Sequence, residues 1–172
     1  MNKFYKVSYE QFKKDLEKNC NLSGIGEENI QLIYDNIKLP KRSTKGSAGY
    51  DFFAPFSITL DRKNHMVIPT GIRMEMDPDK VLLIFPRSGL GFKYRMQLDN
   101  TAGIIDSDYF YSDNEGHIMI KIANDGYEDK FIEVDHGKAF AQGLLMPFCV
   151  TDDDDADGVR NGGMGSTDEE NK

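Results

Sequence analysis

Residues 72–91 read IRMEMDPDKVLLIFPRSGLG. Ile72, Met74 and Met76 alternate with Arg73 and Glu75, the period of two that marks a strand with one buried face. Acidic residues and a proline then interrupt the pattern. Residues 81–85 form an unbroken apolar run, which suits a buried strand, and a glycine-rich turn follows at 86–91. The same texture extends in both directions. Ile118, Ile120 and Ile122 alternate with Met119 and Lys121, and further strand-like runs lie at 50–56, 131–134 and 144–150. Many short strands separated by Gly, Pro, Asn and Asp predict an all-β domain, a sandwich or jelly roll, over about residues 39–150.

The flanks differ from this centre. Ser8 and Gln11 have capping-box spacing, and Phe12 and Leu16 follow at i,i+4, which predicts a helix near 8–18. Ile30, Ile33, Tyr34 and Ile37 fall on one face of a second helix, and Pro40 ends it. Residues 1–38 are therefore expected to be a helical N-terminal extension. After residue 150 the chain turns polar, with four consecutive acids at 152–155 and a glycine-rich stretch at 162–165, so residues 151–172 are expected to form a mobile C-terminal arm.

Composition narrows the function. The chain has 172 residues and a net charge of −8. That charge argues against non-specific binding to nucleic acid or anionic membrane, both of which need a basic surface. It permits a phosphate-bearing small molecule, held locally by an arginine, backbone N–H groups and a metal ion. Two cysteines, Cys20 and Cys149, are too few for a disulfide scaffold and fit a reducing compartment. No run approaches the length of a membrane span and no secretory leader is evident, so a cytoplasmic location is expected. His65, His117 and His136 lack metal-ligand spacing, which argues against a zinc site. Neither a Walker-type loop nor a dinucleotide fingerprint occurs.

Four stretches offer chemistry. Residues 86–91, PRSGLG, combine exposed backbone N–H groups with the donors of Arg87 and Ser88 and suit phosphate oxygens; an ordinary loop with a surface arginine fits equally. Residues 103–109, GIIDSDY, set two acids beside two isoleucines and ahead of a tyrosine. An acid on an apolar wall facing a phosphate is suited to activate water, while a turn rich in Asp and Ser is the plainer reading. Ala48-Gly49-Tyr50-Asp51 and residues 137–142, GKAFAQ, each lead from a turn into a strand.

In this order these pieces, with Arg160 and residues 162–167 of the tail, resemble the five motifs of the homotrimeric deoxyuridine triphosphatases. The resemblance covers about residues 37–168, and the second and third motifs are its most specific part. It implies a distorted jelly-roll β-barrel, three subunits sharing three active sites, and Mg²⁺-dependent hydrolysis of dUTP to dUMP and pyrophosphate in nucleotide metabolism. Asp106 would be the general base for the attacking water, Gln142 would assist at the phosphates, and Asp51 would act through metal-bound water. Asn100, Gly103, Ile104, Ile105 and Met119 would surround the uracil. Tyr109 would stack on the deoxyribose and exclude a 2′-hydroxyl. Arg87, Ser88 and Gly89 would hold the phosphates of an adjacent subunit's substrate. Arg160, Met164, Gly165 and Ser166 would complete the site from the tail. Mg²⁺ would be held by the triphosphate and waters, not by a protein cage.

The chain departs from the family pattern in three places. Met164 stands where the family usually has a phenylalanine that stacks on uracil. Arg160 is one residue nearer the glycine pair than usual. Residues 110–115 lengthen the hairpin after Tyr109 and read as a loop extension. Two rival functions follow: a dCTP deaminase or bifunctional deaminase of the same fold, which needs a glutamate near the pyrimidine where this chain offers none before Glu115, and a triphosphatase-like module whose extra segments bind a regulatory protein partner.

Overall fold

A computed structural model describes residues 1–20, 25–160 and 162. Strands occur at Lys3–Lys6 (β1), Tyr50–Phe53 (β2), Ile58–Leu60 (β3), His65–Pro69 (β4), Ile72–Glu75 (β5), Lys80–Pro86 (β6), Met96–Leu98 (β7), Gly103–Asp106 (β8), Met119–Asn124 (β9), Ile132–Val134 (β10) and Ala139–Pro147 (β11). Helices occur at Tyr9–Asn19 (α1), Glu27–Asp35 (α2) and Ser88–Tyr94 (α3), and a 3-10 turn at Ser107–Tyr111 follows β8. All strand pairings are antiparallel. A four-stranded sheet runs β2-β11-β6-β8, a three-stranded sheet runs β4-β9-β7, and β1-β5 and β10-β3 form two ribbons. This is the jelly-roll-like β fold expected from the strand spacing.

Side-chain alternation places the core between these layers. Ile118, Ile120 and Ile122 are buried together, as are Ile72 and Met74 of β5 with Met76 just beyond it. β6 differs from its expectation. Only Leu82 and Ile84 are buried, while Val81, Leu83 and Phe85 remain partly open. The register sets Ile104, Leu83 and Leu144 side by side across three strands. Directly opposed residues share a sheet face, so this apolar row lies on the face that one chain leaves uncovered; Ile104 is 66% exposed.

Both N-terminal helices form where periodicity put them. Ser8 caps α1 by accepting from the Gln11 N–H at 3.1 Å. The reciprocal half of the capping box comes from elsewhere: Glu115 accepts from the Ser8 N–H at 2.8 Å, and the Gln11 side chain turns to Asp15. Ahead of the helices lies β1, a strand with no period-two signal, defined by its pairing with β5. Phe4, Val7, Phe12, Leu16, Ile30 and Ile37 all join the main core cluster. The described residues of this segment, 1–20 and 25–38, thus pack against the core of the β domain. Among residues 151–160 there is no helix or strand. No helix among the described residues is long and apolar enough to cross a membrane.

Candidate active site

A cavity of about 550 Å³ opens beside β8 and β9. Its walls bring together Asn100, Gly103, Ile104, Ile105 and Met119, the five residues expected to surround a nucleobase. Gly103 sits opposite Ile84 of β6, and a Cβ there would come within 3.1 Å of the Ile84 Cβ, so glycine lets β8 lie close at the cavity wall. The turn carrying Asn100 is strained. Thr101 has φ 68°, which a β-branched residue rarely adopts. It is pinned by the Thr101 N–H donating to the Leu98 carbonyl at 2.9 Å and by Asp99, whose carboxylate meets Lys121 Nζ and His65 Nδ1, each at 2.5 Å. The Lys121 ammonium, with His65, holds the Asp99 carboxyl below its ordinary range.

Tyr109 is buried at the start of the lengthened hairpin. Its hydroxyl donates to the His117 carbonyl at 2.9 Å and accepts from Asn114 Nδ2 at 2.8 Å. Burial pushes the phenol up, which keeps it a donor. Residues 110–116 are built in, not loose: Ser112 is buried, Arg73 donates to the Phe110 carbonyl at 2.5 Å and stacks its guanidinium 3.6 Å from the Phe110 ring centroid. Gly116 has φ +67°, and a Cβ there would meet the Tyr109 carbonyl oxygen at 2.6 Å.

Asp106 ends β8, opposite Val81. At the strand's end its side chain turns outward, is 49% exposed, and pairs with Arg160 Nη2 at 2.5 Å. Arg160 Nε also meets Asp108 at 2.8 Å. The tail arginine thus stands on the acid expected to activate water.

Asp51, Arg87 and Gln142 gather separately. Gln142 of β11 is registered with Asp51 of β2 and Phe85 of β6. Arg87 Nε lies 3.6 Å from Asp51 Oδ1, Ser43 donates to Asp51 Oδ2 at 2.8 Å, and Gln142 Nε2 donates to the Pro86 carbonyl at 3.3 Å. Residues 86–91 are the end of a strand and the first turn of a short helix, not only a loop. The Arg87 carbonyl accepts from Leu90 and Gly91, which leaves the N–H groups of Ser88 and Gly89 without a partner among the described residues. A second cavity, of about 490 Å³, is lined by Arg87, Ser88, Gly89 and Lys138.

The two groups lie at opposite ends of β6. Asp106 is opposite Val81 and Gln142 opposite Phe85. Four residues of strand rise and two strand spacings separate them by roughly 16 Å. Hydrogen-bond reach is about 3 Å, so the two groups do not touch within one chain. Met164, Gly165 and Ser166 lie outside the described residues.

Residues missed by the sequence reading also line the first cavity. Gln11, Lys14, Asp15, Lys18 and Asn19 of α1 and Asn114 of the hairpin belong to it. Their i,i+4 spacing along a helix was visible, but not what that polar stripe faced.

A family model described as dUTPase matches residues 35–167. The deoxyuridine 5'-triphosphate nucleotidohydrolase of Lactococcus lactis subsp. lactis is 38% identical over 134 residues, covering 76% of this chain and 88% of the relative. The structure of a dUTPase from Streptococcus mutans is similar with a TM-score of 0.60 at 34% identity, covering 69% of this chain and 91% of that one. A dUTPase from phage phi11 of S. aureus, solved to show the coordination of a structural Mg(II) ion, shares the fold with a TM-score of 0.61 at 18% identity, covering 92% and 97%.

Proposed function

The chain belongs to the dUTPase family and hydrolyses dUTP to dUMP and pyrophosphate, and from that premise we propose which residues carry the reaction and how subunits divide it. Uracil enters the cavity beside β8 and β9, its polar edge meeting Asn100 and the backbone of Gly103 and Met119, with Ile105 on an apolar wall and Ile104 at the outer edge. Tyr109 lies under the deoxyribose and leaves no room for a 2′-hydroxyl. Asp106 accepts a proton from the water that attacks the α-phosphorus, and pyrophosphate leaves. Before that step Arg160 must exchange Asp106 and Asp108 for phosphate oxygens, since its present ion pair occupies the base.

Arg87, Ser88 and Gly89 supply phosphate donors, and Gln142 assists beside them. Their distance from Asp106 in one chain is the observation that carries the oligomeric reading: the phosphate donors serve the substrate of a neighbouring subunit in a homotrimer. The uncovered apolar row Ile104–Leu83–Leu144 gives such an assembly surface to bury. Mg²⁺ fits the donor set. Asp51, beside Arg87, offers an oxygen to a metal-bound water, and Mg²⁺ commonly binds through one or two carboxylates, substrate phosphates and waters. When bound, the ion neutralises charge on the triphosphate. This local neutralisation suits a chain of net charge −8 to an anionic substrate.

The deaminase alternative needs a glutamate at the pyrimidine. Glu115 instead is held by Ser8, accepting from its N–H at 2.8 Å and its hydroxyl at 2.6 Å. The test is pyrophosphate release from dUTP, dTTP, dCTP and UTP by the native chain and by Asp106→Asn. The expected result is turnover of dUTP alone, lowered by roughly 10²–10⁴-fold in the variant. Equal turnover by Asp106→Asn removes that residue from its role.

A further inference from the structure

α1 lies outside residues 35–167, which the family model matches, yet it walls the nucleobase cavity. It is tied to Tyr109 through one buried histidine. His117 is fully buried. Its Nε2 accepts from the Gly71 N–H at 2.7 Å, so the ring proton sits on Nδ1, which donates to Asp15 Oδ2 at 2.6 Å. Gln11 Nε2 donates to the same carboxylate oxygen at 2.7 Å and keeps it in place. The carbonyl of His117 accepts the Tyr109 hydroxyl at 2.9 Å and Asn114 Nδ2 at 3.4 Å. A second tie, Ser8 to Glu115, fastens the same hairpin to the start of α1. The lengthened hairpin and the added helix therefore form one unit, and Tyr109 leans on it.

We propose that Asp15 is a positioning residue for the sugar site: through His117 it fixes the carbonyl that holds Tyr109, and so sets how strongly a ribonucleotide is rejected. The inference rests on the reading of Tyr109 as the surface under the deoxyribose. Without Asp15 the buried His117 Nδ1–H loses its carboxylate acceptor. The ring and its carbonyl then shift to find one, and the Tyr109 ring gains the freedom to make space for a 2′-hydroxyl.

The experiment measures kcat/KM for dUTP and for UTP with the full chain and with Asp15→Ala, Asp15→Asn and Tyr109→Ala. The ratio of the two constants is the readout, because any unfolded fraction cancels from it. Asp15→Ala should lower the ratio by roughly 3- to 30-fold, the range of coupling through packed networks. Asp15→Asn keeps an acceptor oxygen and should stay near the native ratio. An unchanged ratio in Asp15→Ala, with a lowered one in Tyr109→Ala, overturns the inference and leaves the sugar reading standing. An unchanged ratio in Tyr109→Ala overturns both.

Discussion

Two inactive variants, mixed, should restore activity. Asp106→Asn removes the base and Arg87→Ala removes a phosphate donor. The two positions lie at opposite ends of β6, with Asp106 opposite Val81 and Arg87 just past Pro86. If each site takes its base from one subunit and its phosphate donors from the next, a site is intact when an Arg87→Ala subunit supplies the base and an Asp106→Asn subunit the donors. In a 1:1 random mixture each condition holds for half of the subunits, so about a quarter of sites in a closed ring are intact. The assay is pyrophosphate release from dUTP after the variants are unfolded together and refolded, with one variant carrying a mass tag so that mixed trimers are counted. Activity near a quarter of native is expected. Mixed trimers that are no more active than their parents would refute the division of the site, because they would show base and donors acting within one chain.

Two further outcomes follow. Gly116→Ala puts a Cβ within 2.6 Å of the Tyr109 carbonyl and 2.7 Å of the Phe110 Cα at a φ of +67°; both neighbours are backbone, so the cost should be roughly 2–4 kcal/mol, read as a fall of several degrees in Tm. An unchanged Tm would contradict the described turn. Burial pushes the Cys20 thiol from 9.0 up to about 11, so the unfolded chain ionises first, and stability falls as pH rises through that window. The difference in Tm between native chain and Cys20→Ala should therefore shift between pH 9 and 11, and thiol titration of the folded protein at pH 8 should find Cys149, which is exposed, far more reactive than Cys20.

The sequence showed those parts of the fold where one chain supplies both the pattern and its partner. Period-two runs at 72–76 and 118–122 became β5 and β9, and Ser8 marked the start of α1 to the residue. β1 was illegible because its four residues carry no alternation; its pairing with β5, seventy residues away, makes it a strand. The hairpin at 110–116 looked like slack because its contacts, Ser8, Arg73 and the turn at Gly116, are non-local or steric. Composition shows charge and polarity, not which segment they fasten.

The candidate site divides along the same line. Asn100, Gly103, Ile104 and Ile105 are near neighbours in sequence, and the cavity holds them together. Asp51, Arg87 and Gln142 are far apart in sequence, yet one sheet register aligns Asp51 with Gln142 and Arg87 follows just past the end of β6, which the motif order alone indicated. No single chain joins the two groups. The continuous apolar run at 81–85 carried that information in another form. A strand with Leu82 and Ile84 buried and Leu83 half open, beside an exposed Ile104, has more apolar surface than its own fold covers. On the proposed sharing of sites, an excess of that kind on the strand between the two half-sites has a use: a contact that buries the surplus is also able to bring a neighbour's phosphate donors toward the base.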